Sequence, residues 1–254
     1  MRELLAVGRR QVRLVWMAAG LDPSPQLDEI EALAARRHVR VETVSRSRLD
    51  AAARTDAAQG VLAYARPVAP VPLEQLCGDG STPPFLLVVA GITDPRNLGS
   101  MLRSAECAGV TGIVLPRHRA AHLSPTVAKV AAGAIEHLAF AVVGGIPAAL
   151  EQVSRRGVWT LGLAPEAGRS LYDMDLADEP VALVVGSEEK GLAPLVRRRC
   201  DELVAIPQHG ALESLNAAVA AAVACFEIAR RRVPAGARPA ARRAGAPGGP
   251  RRTQ

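Results

Sequence analysis

From residue 85 onward the chain repeats one pattern: a short apolar run, a polar loop, then a longer amphipathic stretch. Residues 85–90, Phe-Leu-Leu-Val-Val-Ala, contain no polar position. That is expected of a strand buried on both faces of a parallel sheet. Residues 97–108 then read as a helix ending at Gly109, and 112–115 as the next strand. Ser124 and Pro125 open a helix predicted to run to about His137. Residues 140–143, 159–163, 181–185 and 203–206 read as further strands. Residues 212–232 read as a long terminal helix, Ala-rich on its apolar face and ended before Pro234. Strands alternating with helices predict a mainly parallel α/β sheet. In such sheets ligands bind outside the carboxyl ends of the strands.

Residues 1–65 carry a smaller unit of the same α/β character. Residues 12–17, 39–44 and 59–64 read as strands, and 24–37 as a helix with Ser24 as N-cap and Pro25 in the first helical position. Residues 65–84 hold five prolines and two glycines, a composition that discourages regular structure. They predict a linker, residues 66–84, ahead of the larger unit, residues 85–232.

Composition narrows the class. The chain has 254 residues, 49% of them apolar and 3% aromatic, so its core must be built from Ala, Val and Leu. Net charge is +6, and Arg238, Arg242, Arg243, Arg251 and Arg252 supply most of it from an acid-free tail, residues 233–254. A basic tail reads as a nucleic-acid or acidic-surface contact, or equally as a solvated disordered segment. Cys77, Cys107, Cys200 and Cys225 form no C-x-x-C pair. This argues against a disulfide framework or a zinc site and fits a reducing cytosol. The apolar run at 12–20 is short and interrupted by Arg13, and no later stretch reaches the ~20 residues of a membrane span. A soluble cytoplasmic protein without a metal or a membrane anchor is expected.

Neither G-x-G-x-x-G, a P-loop nor a G-x-S-x-G elbow is present, and the five scattered histidines, His118 and His122 among them, read as surface residues rather than metal ligands. Three polar segments stand out instead, each where a strand hands over to a loop or helix. The first is Asp94-Pro-Arg-Asn97-Leu-Gly99-Ser-Met-Leu-Arg103. Asn97 offers amide donors and an acceptor, and Arg103 a rigid donor fork. The plainer reading is an N-cap Asn and a solvated helix Arg. The second is Gly186-Ser-Glu188-Glu-Lys-Gly191-Leu192, where Gly186 lets a backbone approach closely and Glu188 presents a carboxylate. Its plainer reading is a polar strand-to-helix turn. The third, Ile206-Pro207-Gln-His-Gly210-Ala-Leu-Glu-Ser214-Leu215-Asn216, ends a strand and enters a helix. Here Ser214 and Asn216 are also candidate caps.

In this order and with these gaps, the segments resemble the three motifs of the SpoU/TrmH family. These are knotted RNA methyltransferases that move a methyl group from S-adenosyl-L-methionine to a ribose 2′-hydroxyl. The resemblance covers residues 85–232. Residues 1–65 look like the small L30e-like RNA-binding domain that precedes many members, with Gln59-Gly60-Val61-Leu62-Ala63 matching the segment that closes it. The subgroup most similar methylates a guanosine of 23S rRNA. The resemblance implies a SPOUT fold with a C-terminal trefoil knot, an exception to the no-knot rule. It further implies S-adenosyl-L-methionine as cofactor, RNA as partner, and a homodimer whose active site combines residues of both subunits.

On the same basis Gly186, Ile206 and Leu215 would line the cofactor pocket, largely through backbone groups. Asn97, Arg103, Glu188, Ser214 and Asn216 would form the reaction site. A guanidinium pKa above ~12 makes a neutral Arg scarce at pH 7. Arg103 is therefore expected to orient the hydroxyl and hold the adjacent phosphate, with proximity to the sulfonium methyl supplying much of the rate. The chain departs from the pattern at Gln208, where members often have Met, and at Ala217-Ala218, where they often have Val-Ser. These changes bear on cofactor affinity more than on activity. Members usually carry a Gly-containing segment before the stretch matching residues 2–5, so an incomplete small domain is expected. The same motifs serve enzymes of tRNA, and of an rRNA adenosine whose methylation gives antibiotic resistance. The small N-terminal unit favours rRNA over the simplest tRNA enzymes, which lack it. A non-catalytic RNA-binding protein on the same fold is the alternative from another class.

Overall fold

The computed structural model describes residues 1–53, 58–78, 82–118, 120–176, 179–212 and 214–232. The basic tail, 233–254, lies outside the described residues.

The small unit runs α1 (Arg2–Val7), β1 (Val12–Ala18), α2 (Pro25–Arg36), β2 (Arg40–Val44), α3 (Arg46–Ala52) and β3 (Val61–Ala65). Ser24 caps α2, its hydroxyl accepting from the Leu27 amide at 3.4 Å, with Pro25 behind it as the sequence requires. Strand β1 is central, parallel to β2 and antiparallel to β3. One face of β1 turns Val15 and Met17 into a cluster with Leu5, Ile30, Leu33 and Ala34. The other turns Trp16 and Ala18 onto Val44 and Leu49. Helices α1 and α3 are too short to show a full amphipathic period and are not foreseen.

The large unit continues α4 (Leu73–Leu76), β4 (Phe85–Ala90), α5 (Pro95–Cys107), β5 (Gly112–Pro116), α6 (Pro125–Val130), β6 (Ala139–Val143), α7 (Ile146–Ser154), β7 (Trp159–Leu163), β8 (Val181–Gly186), α8 (Pro194–Arg199), β9 (Glu202–Val204) and α9 (Ala217–Arg232). Six strands stand in the order β6-β5-β4-β8-β7-β9, and every pairing is parallel. Strand β4 is apolar throughout because both of its faces are covered. Leu87 and Val89 enter the core under α5, α6 and α9, while Leu86 and Val88 enter the core under α4 and α7. The chain leaves β4 for β5 on one side and later returns to β8 on the other. The carboxyl ends of β4 and β8 therefore flank a topological switch point, where such sheets bind ligands.

Three local expectations change. The proline-rich connector holds one helical turn, α4, whose Leu73 and Leu76 are buried in the core. The helix expected over 124–137 stops at Val130; Ala132 and Gly133 take positive φ of 51° and 98°, and a 3-10 turn follows at Ala134–Glu136. That break is packed against the small unit, since a Cβ on Gly133 would lie 2.5 Å from Glu3 Cγ. Arg10 Nη1 also reaches the buried Glu136 carboxylate at 2.8 Å, and Arg9 Nη1 donates to the Leu138 carbonyl at 3.1 Å. The terminal helix begins at Ala217 rather than 212. Among the described residues no helix is long and apolar enough to cross a membrane, and no His/Cys/Asp/Glu cluster could hold a metal ion.

Candidate active site

Strand β4 delivers the chain to Asp94, whose Oδ1 accepts from the Arg96 amide at 2.9 Å and caps α5 ahead of Pro95. The cap is thus Asp94, not Asn97. The Asn97 side chain, in the first turn of α5, is left for other partners. Strand β8 ends at Gly186 and opens a loop that closes on itself. The Ser187 amide donates to the Gly191 carbonyl at 3.1 Å, and the Gly191 amide returns the bond at 2.9 Å. A Cβ on Gly186 would stand 2.2 Å from the Gly191 carbonyl carbon, so only glycine permits this closure. Gly191 itself has φ +57°. The closed loop presents Glu188 toward the first turn of α5.

The third segment supplies Asn216. Its Oδ1 accepts from the amides of Ala218 at 2.9 Å and Val219 at 3.3 Å, which caps α9. Its Nδ2 therefore faces the other way, donating to Asn97 Oδ1 at 3.1 Å and Glu188 Oε2 at 3.3 Å. Asn97 Nδ2 donates to the same Glu188 Oε2 at 3.2 Å. The cap fixes the orientation of Asn216, Asn216 fixes that of Asn97, and both amides converge on one carboxylate oxygen. Among the described residues Glu188 Oε1 has no hydrogen-bond partner. It remains an acceptor at the rim of the site.

A cavity of about 330 Å³ opens beside this ring, within the range of small-molecule sites. Gly186, Ile206 and Leu215 all line it, and Glu188 and Ser214 stand at its polar side. Ser214 is exposed and makes no capping hydrogen bond among the described residues. One wall was not foreseen: Leu163, Ala164, Pro165 and Glu166, at the carboxyl end of β7. Only the strand order, which puts β7 beside β8, gives this away. Glu166 is ion-paired with Arg197, and that hydrogen bond holds its carboxyl below the usual carboxylate range. Gln208, where the family pattern often has Met, also lines the cavity.

Arg103 is not brought to the ring. It is exposed on α5, six residues and so about 9 Å along the helix axis from Asn97. Among the described residues it has neither a hydrogen bond nor an ion pair, and it does not line the cavity. The single chain thus joins Asn97, Glu188 and Asn216, sets Ser214 at the cavity, and leaves Arg103 on the surface.

A parallel sheet with a polar ring at its switch point and a cavity beside it, over the carboxyl ends of β7 and β8, is the layout of an α/β enzyme that handles a small ligand. Comparison with known proteins makes the class specific. The family model of the SpoU rRNA Methylase family matches residues 84–226, more than half of the chain. A second, described as RNA 2′-O ribose methyltransferase substrate binding, matches residues 2–71. The chain belongs to the SpoU rRNA Methylase family, whose members are RNA 2′-O-ribose methyltransferases. It is 38% identical over 226 residues to the 23S rRNA (guanosine-2′-O-)-methyltransferase RlmB of Pseudomonas putida, covering 88% of this chain and 90% of that one. Its identity to RlmB of Ralstonia nicotianae is 42% over 195 residues, 76% of this chain and 78% of that one. The fold is shared with the SpoU methyltransferase AviRb from Streptomyces viridochromogenes, solved with AdoMet, at a TM-score of 0.76 and 23% identity over 91% of this chain and 87% of that one.

Proposed function

We propose that this protein transfers a methyl group from S-adenosyl-L-methionine to the ribose 2′-hydroxyl of a guanosine in 23S rRNA. The observation that carries the reading is the Asn97–Glu188–Asn216 ring at the rim of the cavity lined by Gly186, Ile206 and Leu215. The choice of guanosine and 23S rRNA rests on relatives so named that align along most of their length.

The cavity residues fit the cofactor. Gly186 exposes backbone without a side chain, Ile206 and Leu215 are apolar, and the volume suits a molecule of that size. When bound, the cofactor supplies an electrophilic methyl on a sulfonium. The chain's own residues do the rest. Glu188, held by two amides through Oε2, keeps Oε1 as acceptor for a substrate hydroxyl, and Ser214 adds a second polar group on the cavity side. Asn97 and Asn216 position Glu188. Holding the reactants in this way converts the transfer into an oriented, effectively unimolecular step.

Arg103 enters from the second subunit of a homodimer. What supports this is an exposed apolar stripe on α9, where Val219 is 49% and Phe226 51% exposed, on a helix that packs against α5, the helix that bears Arg103. Two-fold pairing on that stripe would carry each Arg103 toward the partner's ring. There its guanidinium holds the phosphate and orients the hydroxyl. The trefoil knot belongs to the same reading. The chain passes β7 and β8, reaches the edge strand β9, and returns to seat α9 on α5 and β8. The L30e-like character of the small unit and a cytoplasmic location complete the proposal.

The test is methyl transfer from labelled cofactor to 23S rRNA and tRNA pools that lack the modification. Label is expected at one guanosine of 23S rRNA. Asn97→Ala should abolish transfer while cofactor affinity stays within about 3-fold, since Asn97 does not line the cavity. Mixing Asn97→Ala with Arg103→Ala should restore about a quarter of wild-type activity if sites are shared across a two-fold dimer. Label only in tRNA, or normal turnover by Asn97→Ala, would overturn the assignment.

A further inference from the structure

We propose that the open half of the small sheet, around Tyr64, stacks an unpaired base of the RNA substrate while Arg40 and Arg48 hold its backbone. The inference rests on the RNA-methyltransferase reading above and names the surface that grips the RNA. The strand register lays out three rows on this face. Arg40, Leu14 and Tyr64 stand abreast, then Glu42, Trp16 and Leu62, then Val44 and Ala18. Helix α3 covers the last row through Leu49, which is fully buried with Trp16, Ala18 and Val44. The first row stays open: Tyr64 is 39% exposed and the Arg40 side chain 77%. The opposite face of the sheet is filled by the cluster around Leu5, Ile30 and Leu33.

The open row is held in place from below. Glu42 uses both oxygens, accepting from Trp16 Nε1 at 3.1 Å and pairing with Arg40 at 2.7 Å. Tyr64 packs against Trp16 at a near right angle, ring centroids 5.1 Å apart. The Arg48 guanidinium lies 4.6 Å over the Trp16 ring and makes no ion pair among the described residues, so its donors remain free. Arg40 and Tyr64 sit on the two strands flanking β1, about 10 Å apart. One nucleotide's base and phosphate can bridge that span with both side chains extended. A half-exposed aromatic ring with two guanidinium groups on the same sheet face matches single-stranded RNA, whose bases stack on aromatic rings and whose phosphates pair with Arg. A duplex keeps its bases stacked inside and offers this ring nothing. The matched family description of residues 2–71 as substrate binding agrees with that occupant.

The experiment uses the full chain. Binding of labelled oligouridine and of a duplex of equal length is measured beside KM and kcat for methyl transfer to unmodified 23S rRNA, with cofactor affinity as control. Tyr64→Ala should weaken oligouridine binding and raise KM at least about 5-fold, the lower end for one base–aromatic stack, with kcat retained. Tyr64→Phe, which keeps the ring, should stay within about 2-fold. Arg48→Ala should lower the salt slope of binding by about 0.7, as expected for one phosphate contact on a single strand. If Tyr64→Ala does not fold, Arg40→Ala and Arg48→Ala decide: an unchanged KM in both overturns the proposal. So does a Tyr64→Ala protein with wild-type KM, or one that loses duplex binding equally. A wild-type protein that methylates no RNA but binds oligouridine in this Tyr64-dependent way would sink the enzymatic reading and leave the platform standing. Normal methylation with an indifferent Tyr64 would sink the platform alone.

Discussion

Gly186→Ala tests the link between loop closure and the site. The added Cβ would lie 2.2 Å from the Gly191 carbonyl carbon, 2.3 Å from its oxygen and 2.5 Å from the Leu192 amide nitrogen. All three are backbone atoms, so no side chain can rotate away. Carbon atoms pack near 3.5–4.0 Å, and the two backbones must part by more than about 1 Å. That separation strains or breaks the paired Ser187–Gly191 hydrogen bonds of 3.1 and 2.9 Å, each worth about 0.5–1.5 kcal/mol net. Overpacking of this kind costs about 1–3 kcal/mol, which in a chain of this size lowers Tm by about 2–12 °C. The functional cost should be larger. Glu188 rides on the same loop, and a ~1 Å displacement of a positioned group can cost about 100-fold in rate. Thermal unfolding, calorimetric titration with S-adenosyl-L-methionine and single-turnover methyl transfer measure the three effects. A Gly186→Ala protein with wild-type Tm and wild-type cofactor affinity would refute the reasoning, because the loop would then not be closed as described.

Three further outcomes are expected. Glu227 accepts from Arg230 and Arg231 at 2.7–2.8 Å, which holds its carboxyl at about 2. Its stabilising effect is therefore full above the unfolded value of about 4.3 and fades as pH falls toward 2. The Tm gap between wild type and Glu227→Gln should be widest near neutrality and close by about pH 2–3, and a gap independent of pH would contradict the pairing. Burial pushes the Cys225 and Cys200 thiols up to about 12, and raises that of Cys77, whereas Cys107 is exposed. Thiol titration of the native protein at pH 8 should show Cys107 reacting first and Cys225 only on unfolding; rapid labelling of Cys225 would contradict its burial. Deleting residues 234–254 removes five arginines. If the tail contacts single-stranded RNA, the salt slope of binding should fall by up to about 3.5, while an unchanged slope makes the tail a bystander.

The central sheet was legible because burial on both faces leaves an unmistakable mark. Residues 85–90 and 181–185 have no polar position, and both became strands. Capping was legible where it is local, as at Ser24. It failed at Asn97, because Asp94 three residues earlier competes for the same role and wins with Pro95 behind it. The break after Val130 left one local mark, Gly133, a poor helix former that takes φ 98° where the helix stops. What the local pattern does not show is the close approach of Gly133 to Glu3, more than a hundred positions away. The candidate site segments stood out as three motifs, yet no local pattern says that Asn97, Glu188 and Asn216 touch. The wall at 163–166 was missed for a related reason, since it depends on β7 lying beside β8.

The double duty of Asn216 ties the birth of the site to the order of synthesis. Its Oδ1 starts the last helix while its Nδ2 closes a ring with partners 119 and 28 positions earlier. A nascent chain that has already produced β4, α5 and β8 has Asn97 and Glu188 but nothing to hold them. The ring can form only once residues 217–232 have left the ribosome and packed on α5. Contacts this distant along the chain also form slowly, because loop closure precedes their reward. Every truncated product that ends before Asn216 should therefore lack the assembled ring, however well its sheet has begun to form.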